Sequence, residues 1–343
     1  MKRHLNTLFV TTEHAYLSKD GESAAVKVGG EIRARVPLHN LGGIVCFGGV
    51  GASPSLMAAC ANAGVSIAFL TRGGRLMARV VGFTSGNVLL RRTQYRLADD
   101  ADATGRIARY IVLGKLLNAR QVLLRAARER DDPAAVAKLQ SAAGRLAQSI
   151  ETLEKETDAD RIRGIEGDAS RDYFAVFNEL IVHPDPAFRF AGRSRRPPGD
   201  NVNALLSFTY TLLLNDARAA CETVGLDAAV GFLHRDRPGR PSLALDLMEE
   251  FRAFLADRVV LTLINLRQVQ PGGFTRGPTG GVEMNDTTRR TLITAYQKRK
   301  QEEITHPFLD EKTTVGLLVH LQARLLARYI RGELDAYPAF VAK

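Results

Sequence analysis

A chain of 343 residues is longer than one compact core usually holds, so two domains are expected. Hydrophobic residues at 45% and charged residues at 24% are ordinary globular values that exclude long disorder, and no run approaches the roughly eighteen apolar residues of a membrane span. Lys+Arg 47 against Asp+Glu 37 gives a formal charge of +10, most of it from arginine, whose planar fork suits phosphate oxygens; this points to a polyanion such as nucleic acid, or else to a basic enzyme in which arginine replaces lysine for codon reasons.

Met1-Lys2-Arg3-His4-Leu5-Asn6 is followed by no apolar core of signal-peptide length, so a cytoplasmic protein that makes no membrane contact is expected. The β-rich runs Leu8 to Thr12, Ala24 to Val28, Ile32 to Pro37 and Ile44 to Phe47 predict strands, with tight turns at Asp20-Gly21 and Gly29-Gly30. Ser53 as N-cap, Pro54 in the first turn and Gly64 as the stop predict a helix ending at Ala63. Strands over Val65 to Leu70 and Leu76 to Val81 follow, joined through Gly73-Gly74. From about Asn87 the period becomes helical. Ile107, Ile111, Leu113, Leu116 and Leu117 mark one helix; others cover residues 135–153, 158–181, 202–224, 242–266, 287–303 and 313–332. The segments from Arg193 to Asp200, Arg235 to Pro241 and Pro271 to Gly281 read as loops. The expected fold is an α+β multidomain chain: a β-sandwich-like domain over 1–88, then a larger all-α domain over 89–343. Cys46, Cys60 and Cys221 stand singly, which excludes a disulfide framework and any Cys-x-x-Cys zinc site.

Two nucleotide motifs fail on inspection. Gly114-Lys115 is followed by Leu116 rather than Ser or Thr, so it is not a phosphate loop. Gly49-Val50-Gly51 has Pro54 at the third glycine position and reads better as a packing turn than as a dinucleotide site. The stripe Ile162, Glu166, Ala169, Tyr173, Phe177, Leu180 is more telling, because a carboxylate on an apolar helix face must be neutralised, paired or bound to a metal. A buried salt bridge to an arginine is the plainer alternative. Further along, His234 ends an apolar run beside a basic loop, and Ser242 is a candidate N-cap for a helix on which Asp246 lies three and four residues before Glu249 and Glu250. A histidine nitrogen with two or three carboxylates is a ligand set for Mg²⁺ or Mn²⁺, and arginines around it suit phosphate. A helix surface with ordinary acidic residues would show the same spacing.

Together these residues resemble the CRISPR-associated integrase/endonuclease family called "Cas one", its subtype I-C branch above all. The likeness is carried by Arg163-Gly164-Ile165-Glu166-Gly167-Asp168-Ala169 through Tyr173-Phe174, by Arg195-Arg196-Pro197-Pro198 through Phe208, and by Gly231 to Arg252. Thr305-His306-Pro307 and Arg331-Gly332-Glu333 agree with it. The resemblance implies a divalent metal, Mg²⁺ or Mn²⁺, held by Glu166, His234 and Glu249, with Asp246 as a supporting carboxylate. Proline in many relatives at the position of Glu250 argues against that residue as a ligand. It also implies insertion of double-stranded spacer DNA into the repeats of a CRISPR array by transesterification, with His234 either ligating or moving a proton. Homodimers would form through the N-terminal domain, two per dimer of a small partner, "Cas two", sometimes with a nuclease, "Cas four". Arg193, Arg195, Arg196, Arg235, Arg237 and Arg240 are the expected DNA contacts. The rival expectations are a hydrolytic nuclease using the same ligands, and a non-enzymatic basic scaffold whose carboxylates only pair with arginines.

Overall fold

The computed structural model describes residues 6–72, 74, 76–80, 82, 88–194, 197–277 and 280–342. Two units separate, Met1–Gly86 and Asn87–Lys343.

In the first unit, β1 (Asn6–Val10), β5 (Leu41–Phe47), β7 (Ser66–Leu70) and β8 (Leu76–Val80) form one sheet in the order β1-β5-β7-β8. A second sheet, β4-β3-β2-β6, comprises β2 (Tyr16–Asp20), β3 (Ser23–Val28), β4 (Glu31–Pro37) and β6 (Gly51–Ala52). Gly29 and Gly30, at φ 61° and 87°, make the two-residue turn between β3 and β4, where both positions require positive φ. Leu17, Ala24 and Val26 from one sheet meet Val10, Ile44, Cys46 and Ile67 from the other, with Leu56 and Cys60 of α1 (Pro54–Ala63) completing the core. The Ser53 hydroxyl accepts from Leu56 N and Gly64 stops the helix at φ 70°, as their residue types predict. Gly51 lies in β6, where a Cβ would come within 3.0 Å of the Tyr16 ring, so the glycines at 49–51 serve strand packing.

The second unit holds α2 (Val88–Asp99), α3 (Ala101–Glu129), α4 (Pro133–Glu154), α5 (Ala159–Ala175), α6 (Asn201–Val224), α7 (Ser242–Glu249), α8 (Arg258–Asn265), α9 (Asp286–Gln301) and α10 (Val315–Ile330). Asp100, Asp132, Asp158, Asp200 and Asn285 cap α3, α4, α5, α6 and α9 by accepting from backbone N–H groups of the first turn. It is helical but not wholly so. The glycine-rich 271–281 region contributes β9 (Phe274–Arg276), which pairs with β10 (Val282–Met284), and β11 (Glu303–Thr305) pairs with β12 (Lys312–Thr314). The helix expected over 158–181 ends at Ala175, because the Asn178 amide exchanges hydrogen bonds with the backbone of Phe190 and turns the chain. The run 242–266 is divided: a turn at Glu250 and Phe251 leads into a π-helical stretch, Arg252–Asp257, before α8. Among the described residues, no helix is long and apolar enough to cross a membrane.

Candidate active site

Asp246, fully buried in α7, organises the loop that carries His234. Its Oδ2 accepts from Phe232 N (2.6 Å) and Leu233 N (3.0 Å), and its Oδ1 accepts from His234 N (2.9 Å) and faces His234 Nδ1 at 2.7 Å. A carboxylate only accepts, so Nδ1 carries a proton; Nε2 presents its lone pair when the ring is neutral, and the protonated ring is a cation beside Glu249. The loop can wrap this closely only with glycine at 231, where a Cβ would stand 2.8 Å from Asp246 Oδ2. Ser242 does not cap α7: it is the first residue of the helix, and its hydroxyl donates to the carbonyl of Arg235 at 3.2 Å.

His234 Nε2 points toward Glu249, 3.8 Å from its Oε1. Glu249 is 2% exposed and is met by Arg252 Nη2 at 2.9 Å and Lys115 Nζ at 2.8 Å. The Lys115 ammonium, in the middle of α3, also pairs with Glu166 of α5, whose Oε1 accepts a second bond from Ser170 Oγ at 2.8 Å. Arg163, one turn before Glu166, donates to the carbonyl of Leu233 at 3.0 Å and so ties α5 to the His234 loop. Glu166 and Glu249 thus meet through Lys115, while His234 approaches Glu249 itself, so that three separate segments converge.

The electrostatics follow from this crowd of cations. Burial pushes the Glu249 carboxyl up, but Arg252, Lys115 and His234 outweigh it and hold the pKa at about 2. Arg252 is itself held: its guanidinium lies 5.0 Å over the Tyr210 ring, and Tyr210 OH donates to Asp257 at 2.7 Å. Asp257 also accepts from Tyr173 OH of α5 at 3.0 Å. The i→i+5 ladder of the π stretch carries the chain from Arg252 to Asp257, and through Tyr210 and Tyr173 this node joins the Glu166 helix to the segment that follows Glu249. Burial raises Asp257 to about 6, against the two tyrosine hydrogen bonds. Glu250 turns the other way. Its carboxylate accepts from Tyr337 OH (2.6 Å), Phe340 N (2.6 Å) and Gln322 Nε2 (2.9 Å).

The arginines expected to contact DNA divide. Arg193 is engaged with Asn203 Oδ1 at 2.7 Å and lies 5.2 Å over Tyr210, where it supports the site from below. Arg235 is exposed and paired with Asp160 at 2.6 Å, Arg237 is exposed and Arg240 is half-buried, all on the loop after His234. Arg195 and Arg196 lie outside the described residues. Lys115 was missed in sequence, although it falls four residues after Ile111 and four before Ala119 on the buried face of α3, a signal of the same kind as Glu166. Arg252, Asp257, Tyr173 and Tyr210 carried no such signal for their roles.

Among the described residues, no three His, Cys, Asp or Glu side chains are grouped closely enough to hold a cation, and Lys115 stands between Glu166 and Glu249. The donor types nonetheless suit a hard divalent ion: the carboxylates of Glu166 and Glu249 share the Lys115 ammonium, and an imidazole nitrogen, His234 Nε2, lies 3.8 Å from Glu249 Oε1.

A family model described as CRISPR associated protein Cas1 matches residues 8–298. A protein of Chlorobaculum tepidum named CRISPR-associated endonuclease Cas1 1 is 56% identical over 341 residues, 99% of either chain. One of Rhodospirillum rubrum, CRISPR-associated endonuclease Cas1 2, is 52% identical over the full length of both chains. A Geobacter sulfurreducens protein named as a Cas4 exonuclease/Cas1 endonuclease fusion is 35% identical over 98% of this chain and 60% of its own. Among solved structures, a Cas1 protein of Thermotoga maritima superposes with a TM-score of 0.82 at 22% identity, covering 97% of this chain and 99% of its own. A Cas6-RT-Cas1–Cas2 complex includes a chain with a TM-score of 0.85 at 22% identity, covering 100% of this chain and 37% of that one. At such identities the structural likeness speaks for the fold: strands and sheets first, then a larger helical part.

Proposed function

The chain belongs to the Cas1 family of CRISPR-associated proteins, and from that premise we propose that it is a metal-dependent DNA integrase that inserts spacer DNA into a CRISPR array. The observation that carries this reading is the pairing of Glu166 and Glu249 with one ammonium, Lys115, and the approach of His234 Nε2 to Glu249, with Asp246 bonded to His234 Nδ1 on the other side of the ring. Glu166, Glu249 and His234 Nε2 would hold Mg²⁺ or Mn²⁺. The ion, when bound, supplies a Lewis acid that polarises the attacked phosphate.

The reaction exchanges one phosphodiester for another. The 3′-oxygen of the spacer strand bonds to phosphorus, the bond from that phosphorus to a 3′-oxygen of the repeat breaks, and the leaving oxygen departs as a hydroxyl, gaining a proton as the attacking hydroxyl loses one. Lys115 and Arg252 place two cations where negative charge develops on the phosphoryl oxygens, held in advance by Glu166, Glu249 and Tyr210. His234 Nε2 is the base nearest that point should it take the proton instead of ligating. The exposed arginines of the His234 loop, Arg235 and Arg237, with Arg240, would contact the DNA backbone. Dimerisation, assembly of two dimers with a Cas2 dimer, association with Cas4, the subtype I-C assignment and a cytoplasmic setting belong to the same proposal, which the family membership and the Cas4/Cas1 fusion relative support.

The name endonuclease borne by the relatives supports a second reading, hydrolysis of branched or double-stranded DNA at the same residues with water as the nucleophile. Strand transfer with 3′-labelled DNA in Mn²⁺ or Mg²⁺ decides. Joined products establish the integrase, cut products alone favour the hydrolase, and neither, with DNA still bound, reduces the protein to a scaffold.

A further inference from the structure

Arg258, the first residue of α8, is half-buried and makes no hydrogen bond or ion pair among the described residues. Its charge is crowded. Burial and the guanidiniums of Arg299 and Arg125 lower its pKa from the ordinary arginine value, and the two carboxylates that oppose them are taken, Glu129 by Arg125 at 2.8 Å and Glu302 by Arg299. Holding a partly desolvated cation against two like charges is unfavourable, and sequences tolerate such conflicts chiefly where function requires them.

Arg258 lines an open groove of about 800 Å³ together with Arg125, Arg128 and one acid, Glu129, which Arg125 neutralises, and with the apolar side chains of Leu180, Leu261 and Leu266. Both walls continue active-site elements. Lys115 and Arg125 lie on α3, and the run bearing Glu249 and Arg252 leads through the π stretch to Arg258. At about 1.5 Å per residue, Arg125 and Arg128 stand about 15 and 20 Å along α3 from Lys115. We propose that this groove is a second phosphate-binding track, gripping the DNA backbone about four to six nucleotides from the reacting phosphodiester. The inference rests on the DNA reading of the active site. A phosphodiester backbone is favoured over an acidic peptide because the rim offers guanidinium forks, the chain carries +10, and the groove runs along the two elements that hold the catalytic groups.

The test compares Arg258→Ala, Arg258→Glu and Arg258→Lys on duplexes ending about three or about twelve base pairs beyond the reacting phosphodiester. Arg258→Glu weakens binding of the longer duplex roughly tenfold, and lowers the slope of log affinity against log salt by about 0.9 for each phosphate no longer neutralised. The shorter duplex binds within about twofold of wild type, and Arg258→Lys retains most of the affinity for both. Without DNA, Arg258→Ala melts no lower than wild type, since it removes an uncompensated charge. Equal losses on both duplexes, no loss on either, or a lowered melting temperature for Arg258→Ala would each overturn the proposal. So would loss of assembly with a protein partner while DNA affinity is unchanged. Binding is read separately from joining: a wild-type protein that joins no strands refutes the integrase reading, whereas failure of the groove leaves joining of the short duplex intact.

Discussion

Glu249 and Glu250 are adjacent, 2% and 0% exposed, and electrostatically opposite. On one side of the chain, Arg252, Lys115 and His234 overcome burial and hold Glu249 at about 2. On the other, Glu250 faces neutral donors from Gln322, Tyr337 and the backbone of Phe340, and burial prevails, lifting it to about 7. Burial raises any carboxyl; whether the group stays ionised depends on what its neighbours are charged with. One face of this helix end is built to keep a negative charge in place, and the other is built to fasten Gln322 of α10 and the segment from Tyr337 to Phe340.

The strongest way to break this contrast is to truncate each side in turn. Glu249→Ala is expected to lower strand transfer by about 10²–10³-fold or more while the protein stays folded and binds DNA; Glu250→Gln should remain within about threefold of wild type. Activity lost at Glu250 and kept at Glu249 would reverse the assignment of the two faces. Asp246→Asn, which weakens the hold on His234 without touching Glu249, should reduce activity about 10–100-fold, with a matching fall in Mn²⁺ affinity by titration.

Stability against pH in a chelating buffer sharpens the comparison further. Glu250 binds its proton more tightly in the folded state, so its contribution is complete below the ordinary carboxyl value of 4.5 and is lost as pH rises through about 7. Glu250→Gln, which cannot ionise, should therefore gain on wild type by on the order of 2–3 kcal/mol between pH 5 and pH 8, read by denaturant melts. Glu249 has the opposite slope: its contribution is present above 4.5 and lost as pH falls toward about 2. The smallest effect is expected from Tyr210→Phe, about 1 kcal/mol for one hydrogen bond to Asp257, with Arg252 still paired to Glu249.

Where structure is dictated locally, the sequence was readable. Ser53, Pro54 and Gly64 delimit α1 by capping chemistry alone, and Glu166 stood out because an acid on an apolar stripe demands a partner. What stayed hidden depends on distant contacts. Tyr16–Asp20 buries only Leu17 and carries Ser, Lys and Asp, so nothing in its pattern marks a strand until β3 pairs with it. Lys115 looked like a failed phosphate loop because its two carboxylates come from α5 and α7. The hairpin of β9 and β10 is short and lies in a region read as loop, where glycine suggests only flexibility. The register of Glu249 over Glu250 came from the family pattern rather than from helical period, since both side chains are buried.

The π-helical stretch from Arg252 to Asp257 carries one residue more than an α ladder would over the same turn. Removing one residue from it, Ala253 or Ala256, would place Asp257 four residues after Arg252, about 40° round an ordinary α-helix, so the guanidinium and the tyrosine-linked acid would still share a side. The surplus residue is therefore slack rather than phase: a change in length can be taken up where the turn is wide, whereas a change of side chain at Arg252 or Asp257 acts at once on the contacts to Tyr210.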